Sequence, residues 1–266
     1  MYNFTYHRPS GLRQAGNMLA KLEEAKLLAG GQTLIPVMKQ RLASPANIID
    51  LNRIEGLSGI ELKGRSIVIG AMTRHVDVAN SDVVKQNLPA LADLAEMVGD
   101  PHVRHMGTLG GSIANNDPNA DYPAACVGLG ATIVTTKRRI KADEFFKGLF
   151  ETALEPDEII TKVMFPLVKR AGYIKFRNPA SRFALVGVFA SKRGSEIRVA
   201  VTGAGASGVF RVPAFEEALK KRFAAKSLDG LTIPADGLAS DIHGSAEYRA
   251  HLVGVLAKRA VAKATE

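Results

Sequence analysis

The sequence has one cysteine, no tryptophan and few aromatic residues of any kind, 6% of its 266 positions. A lone thiol closes no internal disulfide. It also holds no iron–sulfur cluster, which normally takes four thiolates, or two with two histidines, so any such centre belongs on another polypeptide. Cys126 lies in the small, apolar run ADYPAACVGLGATIV, where a buried thiol resists ionisation. Packing is therefore its expected role. Also missing is any stretch of about 18 to 20 apolar residues, the length a membrane-crossing helix requires. The opening MYNFTYHRPS lacks the charged start and apolar centre of a signal peptide, so a cytoplasmic location is expected. No repeat of about 20 to 50 residues and no low-complexity tract interrupts the chain.

What is present is an ordinary globular composition, 46% hydrophobic, with 35 Lys and Arg against 26 Asp and Glu. Folding at this length buries roughly three quarters of the unfolded surface, enough for one large domain or a series of smaller cores. The surplus of nine positive charges invites a nucleic-acid reading, with Lys137-Arg138-Arg139-Ile140-Lys141 as its strongest local support. That run follows the β-rich ATIVTTK and has no interleaved aromatics to stack on bases. It reads instead as a hairpin tip carrying solvated charges. A diffuse positive balance equally suits an anionic cofactor or an acidic partner subunit.

The periodicities divide the chain into residues 1–55, 56–166 and 167–266. In the first part, Ser10 is a candidate cap for a helix with Leu12, Ala15, Leu19 and Leu22 on one face, and residues 26–29 turn extended before Gly30-Gly31. Pro36 suits the first turn of a second helix, and residues 47–51 read as a buried strand. In the second part, residues 57–62 and 66–69 form a predicted hairpin, Thr73 is a candidate cap, and Leu91, Leu94, Ala95 and Val98 mark a helix face. The stretch DPHVRHMGTLGGSIANNDPNADYPA has too much Gly, Asn, Asp and Pro for a regular helix or central strand, and reads as a functional loop. The third part reads as antiparallel strands at 173–177, 185–192 and 196–202, then helices at 214–222 and 246–264.

Three glycine motifs compete for a ligand. Gly203-Ala204-Gly205-Ala206-Ser207-Gly208 matches G-x-G-x-x-G after a predicted strand, with Asp229 at 21 residues beyond (229 − 208). Its context fails, because residues 209–212 intervene before Pro213 and no helix starts within the glycines. Gly30-Gly31 instead falls between a strand and a helix, where successive N–H groups can form an anion-binding concavity free of Cβ atoms. Gly110-Gly111 sits among Thr108, Ser112, Asn115 and Asn116. Each pair alone also fits a tight turn; together they suggest one extended anionic ligand held between two subregions. His75, His102 and His105 tempt a metal reading, but no further ligand falls at a fitting spacing, which favours loop packing.

Ala29-Gly30-Gly31-Gln32-Thr33-Leu34-Ile35-Pro36 and Met106-Gly107-Thr108-Leu109-Gly110-Gly111-Ser112, with Asp117-Pro118 and Asp121 through Pro123 following, resemble the paired flavin motifs of the FAD subunit of molybdenum hydroxylases. The likeness, nearest to aerobic carbon-monoxide dehydrogenase medium subunits, runs through Ala246-Glu247-Tyr248-Arg249. It implies an α+β fold of the vanillyl-alcohol oxidase and p-cresol methylhydroxylase type: two α/β subdomains binding FAD between them, then a three-stranded antiparallel sheet with helices. By the resemblance, the backbones of Ala29 to Ile35 and of Thr108 to Ser112 hold the pyrophosphate, and Asp121 binds ribityl or ribose hydroxyls. Asp121 as a turn cap is the structural alternative. Val98 and Ile160 line the cofactor or belong to the core. Lys175 stands near the flavin ring, where positive charge raises its potential, with Arg177 as the alternative register. Gln32 and Thr33 replace the His and Ser of several relatives. The implied function is an electron relay: substrate is oxidised at a molybdenum cofactor on a large subunit, and electrons pass through iron–sulfur clusters on a small subunit. FAD on this chain then delivers them to an external acceptor, within a heterotrimer. A stand-alone flavin oxidoreductase of the same fold and a non-enzymatic basic interaction module are the competing readings.

Overall fold

The computed structural model describes all 266 residues. Strand β1 (Thr5–His7), helix α1 (Leu12–Lys21), β2 (Ala25–Leu28), α2 (Leu34–Lys39) and β3 (Asn47–Asp50) build a small parallel sheet of order β1-β3-β2. Parallel neighbours need crossovers, and α1 and α2 supply them. Ala15, Ile49 and Leu51 sit in its core with Met72 and Ile159 from the next unit. Ser10 does not cap α1 through its side chain; Gln14 reaches back to accept from the Ser10 N–H at 3.1 Å.

The second unit starts with the hairpin β4 (Ile60–Lys63) and β5 (Ser66–Gly70). Helices α3 (His75–Asn80), α4 (Asp82–Asn87), α5 (Pro89–Glu96), α6 (Pro101–Met106), α7 (Leu109–Asn115) and α8 (Tyr122–Leu129) follow. Strands β6 (Thr132–Thr135) and β7 (Arg139–Lys141), helix α9 (Ala142–Phe145), the small hairpin β8 (Phe146–Gly148) and β9 (Glu151–Thr152), and β10 (Ile160–Pro166) complete it. The antiparallel sheet runs β4-β5-β10-β6-β7, and its buried residues Ile67, Ile69, Ile133, Val163 and Phe165 share one core with Leu91, Leu109, Ile113 and Cys126. Burial pushes the Cys126 thiol up, as its sequence context implies.

The expectation of a loop across residues 100–124 is overturned: α6, α7 and the start of α8 lie there. Asp100 accepts from the Val103 N–H at 2.9 Å, Thr108 accepts from the Gly111 N–H at 3.1 Å, and Asn116 ends α7 in the left-handed conformation (φ 44°). Residues that discourage a helix interior are good caps, so the composition of a loop is here the composition of closely spaced helix ends. Thr73 caps nothing. Its hydroxyl joins the backbone of Gly59, accepting from the N–H and donating to the carbonyl. The basic tip is also paired rather than simply solvated: Lys137 meets Glu155 and Asp157, and Arg138 meets Glu158.

The last unit is an antiparallel sheet of β11 (Arg170–Arg177), β12 (Ala184–Arg193), β13 (Glu196–Thr202) and a short β14 (Phe210–Arg211), giving four strands where three were expected. Helices α10 (Pro213–Lys221) and α11 (Ala246–Lys263) pack on it. With α8 packed on it as well, residues 184–191 of β12 are buried without alternation. The glycine run 203–208 is structural, as its context implied: Gly203 donates to Pro118, Ala206 to Gly237, and Gly208 to Gly205. Arg249, 2% exposed, fixes this region by donating to the carbonyls of Leu185 and Gly203 and to Asp241.

Candidate functional site

The two diglycine bends touch. A Cβ added to Gly30 would overlap the Met106 carbonyl oxygen and lie 2.7 Å from the Gly107 Cα, so the backbone of the first bend rests directly on the entry to the second. A Cβ on Gly111 would come within 3.6 Å of the Ala29 Cβ. Only glycine permits the first contact.

Their amides differ. In the first bend, the N–H groups of Gly30, Gly31, Gln32, Thr33 and Leu34 donate to no backbone or side-chain acceptor. Gly31 takes φ 70°, α2 begins at Leu34, and Ile35 is the first residue to donate back into the turn, to the Gly31 carbonyl at 3.1 Å. Five consecutive unspent amides at a strand-to-helix turn are the kind of donor set that an anion-binding nest uses. The bend is held from behind: Asn52 donates to the Ala29 carbonyl at 3.1 Å and to Asp50 at 2.7 Å, and Tyr6 donates to Asp50. Gln32 folds its amide back onto the Gly30 carbonyl, 3.2 Å away.

In the second bend, Leu109 donates to Thr73, Gly110 to Ala71, Gly111 to the Thr108 hydroxyl and Ser112 to the Thr108 carbonyl, at 2.8 to 3.1 Å. These amides, which the resemblance assigns to the pyrophosphate, are thus spent within the protein, and only the Thr108 N–H is uncommitted. Gly110 is required for a different reason, since a Cβ there would lie 2.6 Å from the Ala71 Cβ.

A second cluster joins two residues singled out from the sequence, Asp121 and Lys175, to Tyr173. Asp121 and Lys175 form an ion pair at 2.9 Å with side chains 3% and 0% exposed. Tyr173 donates to the other carboxylate oxygen of Asp121, and Lys175 also donates to the Met97 carbonyl at 3.1 Å, beside Val98. Burial pushes the Asp121 carboxyl up, against the opposing pull of Lys175 and the Tyr173 hydroxyl. Asp121 thus does not act as a turn cap; it precedes α8 without capping it through its side chain. Lys175 does not stand as a bare positive charge, because the carboxylate beside it neutralises the pair. Arg177 is exposed at the end of β11, and Ile160, 6% exposed, packs in the main core. Tyr173 was missed, although its signal was available: residues two apart on a strand share a face, and Tyr173 and Lys175 both reach Asp121.

Other polar groups lie near the second bend, among them the histidines that the sequence offered as a metal set. His75 donates its N–H to the Gly107 carbonyl, stacks on Tyr122 at 5.2 Å between ring centroids, and leaves Nδ1 unpartnered. The buried Tyr122 hydroxyl is unpartnered too. Burial, with Arg104 adding to it, lowers the His75 pKa to about 4, so the ring is neutral at pH 7. His102 and His105 lie on α6, where His105 Nδ1 is 2.7 Å from the Pro101 carbonyl.

Comparison with known proteins agrees with this architecture. Residues 2–168 match the family model described as the FAD binding domain in molybdopterin dehydrogenase. The chain is 35% identical to the carbon monoxide dehydrogenase medium chain of Hydrogenophaga pseudoflava, over 97% of this chain and 96% of that one. It is 36% identical to the nicotine 6-hydroxylase medium subunit of Paenarthrobacter nicotinovorans, with the same coverage. A solved structure of the Hydrogenophaga pseudoflava carbon monoxide dehydrogenase superposes with a TM-score of 0.88, at 35% identity over 99% of this chain and 98% of that one. A bend of unspent amides closed against a second glycine motif, in a chain matched over nearly its full length, leads to one assignment: this chain belongs to the family of FAD-binding domains of molybdopterin dehydrogenases.

Proposed function

We propose that this chain is the FAD-carrying, electron-relaying subunit of a molybdenum hydroxylase complex. The observation that carries the reading is the set of five unspent amides from Gly30 to Leu34, pressed against the second glycine motif. Unspent N–H groups at a helix start suit a diphosphate, and a ligand there satisfies donors that the protein leaves open. Bound FAD supplies the redox chemistry. The chain's own residues hold the diphosphate at the first bend, and Asp121 and Lys175, joined in one buried pair with Tyr173 and the Met97 carbonyl, are the candidate groups for the rest of the cofactor. Val98, partly buried, supplies apolar surface beside it, while Ile160 stays in the core. The proposed units are residues 1–55 and 56–166 for the cofactor and 167–266 for the C-terminal part.

The division of labour is the one the resemblance implies, and the composition is compatible with it. One buried Cys leaves the iron–sulfur clusters to a small partner subunit and the molybdenum cofactor to a large one, with electrons leaving this chain for an external acceptor. No helix is long and apolar enough to cross a membrane.

The test is purification of the chain and of any complex that carries it. A flavin absorbance spectrum, release of about one FAD per chain on denaturation, and copurification with a cysteine-rich chain and a molybdenum-containing chain are the expected results. A colourless polypeptide that takes up no added FAD would refute the cofactor assignment. A flavin-loaded chain that acts alone on an organic substrate would refute the relay.

A further inference from the structure

The side of the five-stranded sheet turned away from α7 and α8 carries a cleft of about 660 Å³. Alternation fixes the face: Ile133, Ile140 and Val163 are buried beneath the helices, so Thr132, Arg139, Lys141 and Met164 point the other way and line the cleft. Arg65, from the turn between β4 and β5, and Arg193, at the end of β12, complete its rim. The cleft therefore spans the second unit and the C-terminal sheet.

No carboxylate lines it. Arg65 and Arg139 pair with no acidic side chain, Lys141 donates to the Thr132 hydroxyl at 3.1 Å, and Arg193 is met by Glu196 outside the lining. At Lys137 and Arg138, and at Arg198, which meets both Asp143 and Glu196, positive charge is instead neutralised. Like charges gathered in a concavity repel one another, and the repulsion is relieved by an anion bound among them. Guanidinium forks beside a hydroxyl match phosphate oxygens, and the volume falls within the roughly 300 to 1,000 Å³ of small-molecule sites. We propose that this cleft binds a small phosphorylated molecule, its phosphate oxygens held by Arg65, Arg139 and Lys141. It lies across the sheet from α7 and is separate from the bend at Gly30.

The test titrates the flavin-loaded full-length chain, in which the first bend is filled, with inorganic pyrophosphate by calorimetry at about 0.15 M salt, where diffuse charge effects are screened. One saturable site is expected. Arg65→Ala combined with Arg139→Ala should weaken it at least tenfold with the flavin spectrum and circular dichroism unchanged. A control combining Lys21→Ala with Lys85→Ala, which removes the same charge from other surfaces, should leave it unaltered. Absence of saturable binding, insensitivity to the Arg65/Arg139 variant, or equal weakening by the control overturns the proposal. Loss of the site on addition of the partner subunits overturns it as well, since the cleft would then be a contact for an acidic partner surface.

Discussion

The same dipeptide, Gly-Gly, occurs in both bends and does opposite physical work. At Gly30-Gly31 it leaves five amides unspent and lets the backbone lie on Met106 and Gly107. At Gly110-Gly111 every amide from Leu109 to Ser112 is spent on Thr73, Ala71 or Thr108, and the missing side chain serves close packing against Ala71. A glycine motif reports that something approaches closely; it does not say whether that something is a ligand or the protein itself.

The largest effect is expected at Gly30. Gly30→Ala places a methyl on the Met106 carbonyl, forcing the bends apart at a cost of about 3 kcal/mol, and flavin occupancy should fall at least tenfold. Thermal unfolding and the ratio of flavin to protein absorbance read both. Full occupancy in a stable variant would erase the distinction between the bends. Next comes acid. The His75 pKa is lowered in the folded chain to about 4, so the unfolded chain gains the proton first as pH falls. Stability tied to His75 is complete above about pH 6.5 and lost progressively down to about pH 4, at most about 3 kcal/mol. A His75→Gln variant should flatten that part of the stability profile measured by denaturant unfolding.

Gly111→Val sharpens the comparison. From the sequence alone, it is expected to strip flavin and spare the fold. The structure revises this, because the new Cβ lies 2.9 Å from the Thr108 hydroxyl and disturbs the cap of α7. A loss of about 1 to 3 kcal/mol should accompany the loss of flavin, measured by the same two readouts. The smallest effect belongs to Thr108→Ala, which removes only the cap and should cost about 1 kcal/mol with flavin retained. Equal flavin loss in Thr108→Ala and Gly30→Ala would place the ligand at the second bend after all.

Much of the fold was legible. The strand before Gly30-Gly31 and the helix after it, the 57–69 hairpin, the antiparallel C-terminal strands and the long last helix all follow from local periodicity, which depends on near neighbours in the chain. Residues 100–124 read as a loop because Asp100, Thr108 and Asn116 are loop formers when their partners are not known, although the first two start helices and the third ends one. The site was legible in part. Asp121 and Lys175 could each be named, but not that they neutralise one another, since that pairing joins residues 54 apart in sequence.

By itself, the sequence determined that the chain holds no cluster of its own, that glycine is required at two bends, and which segments extend or coil. These depend on residue identity and on neighbours a few positions away. Tertiary structure alone decided which amides remain open, because that depends on what other segments bring to each donor. Thr73 and Ala71 come to the second bend and accept from it; the first bend lies against the Met106 carbonyl without donating to it.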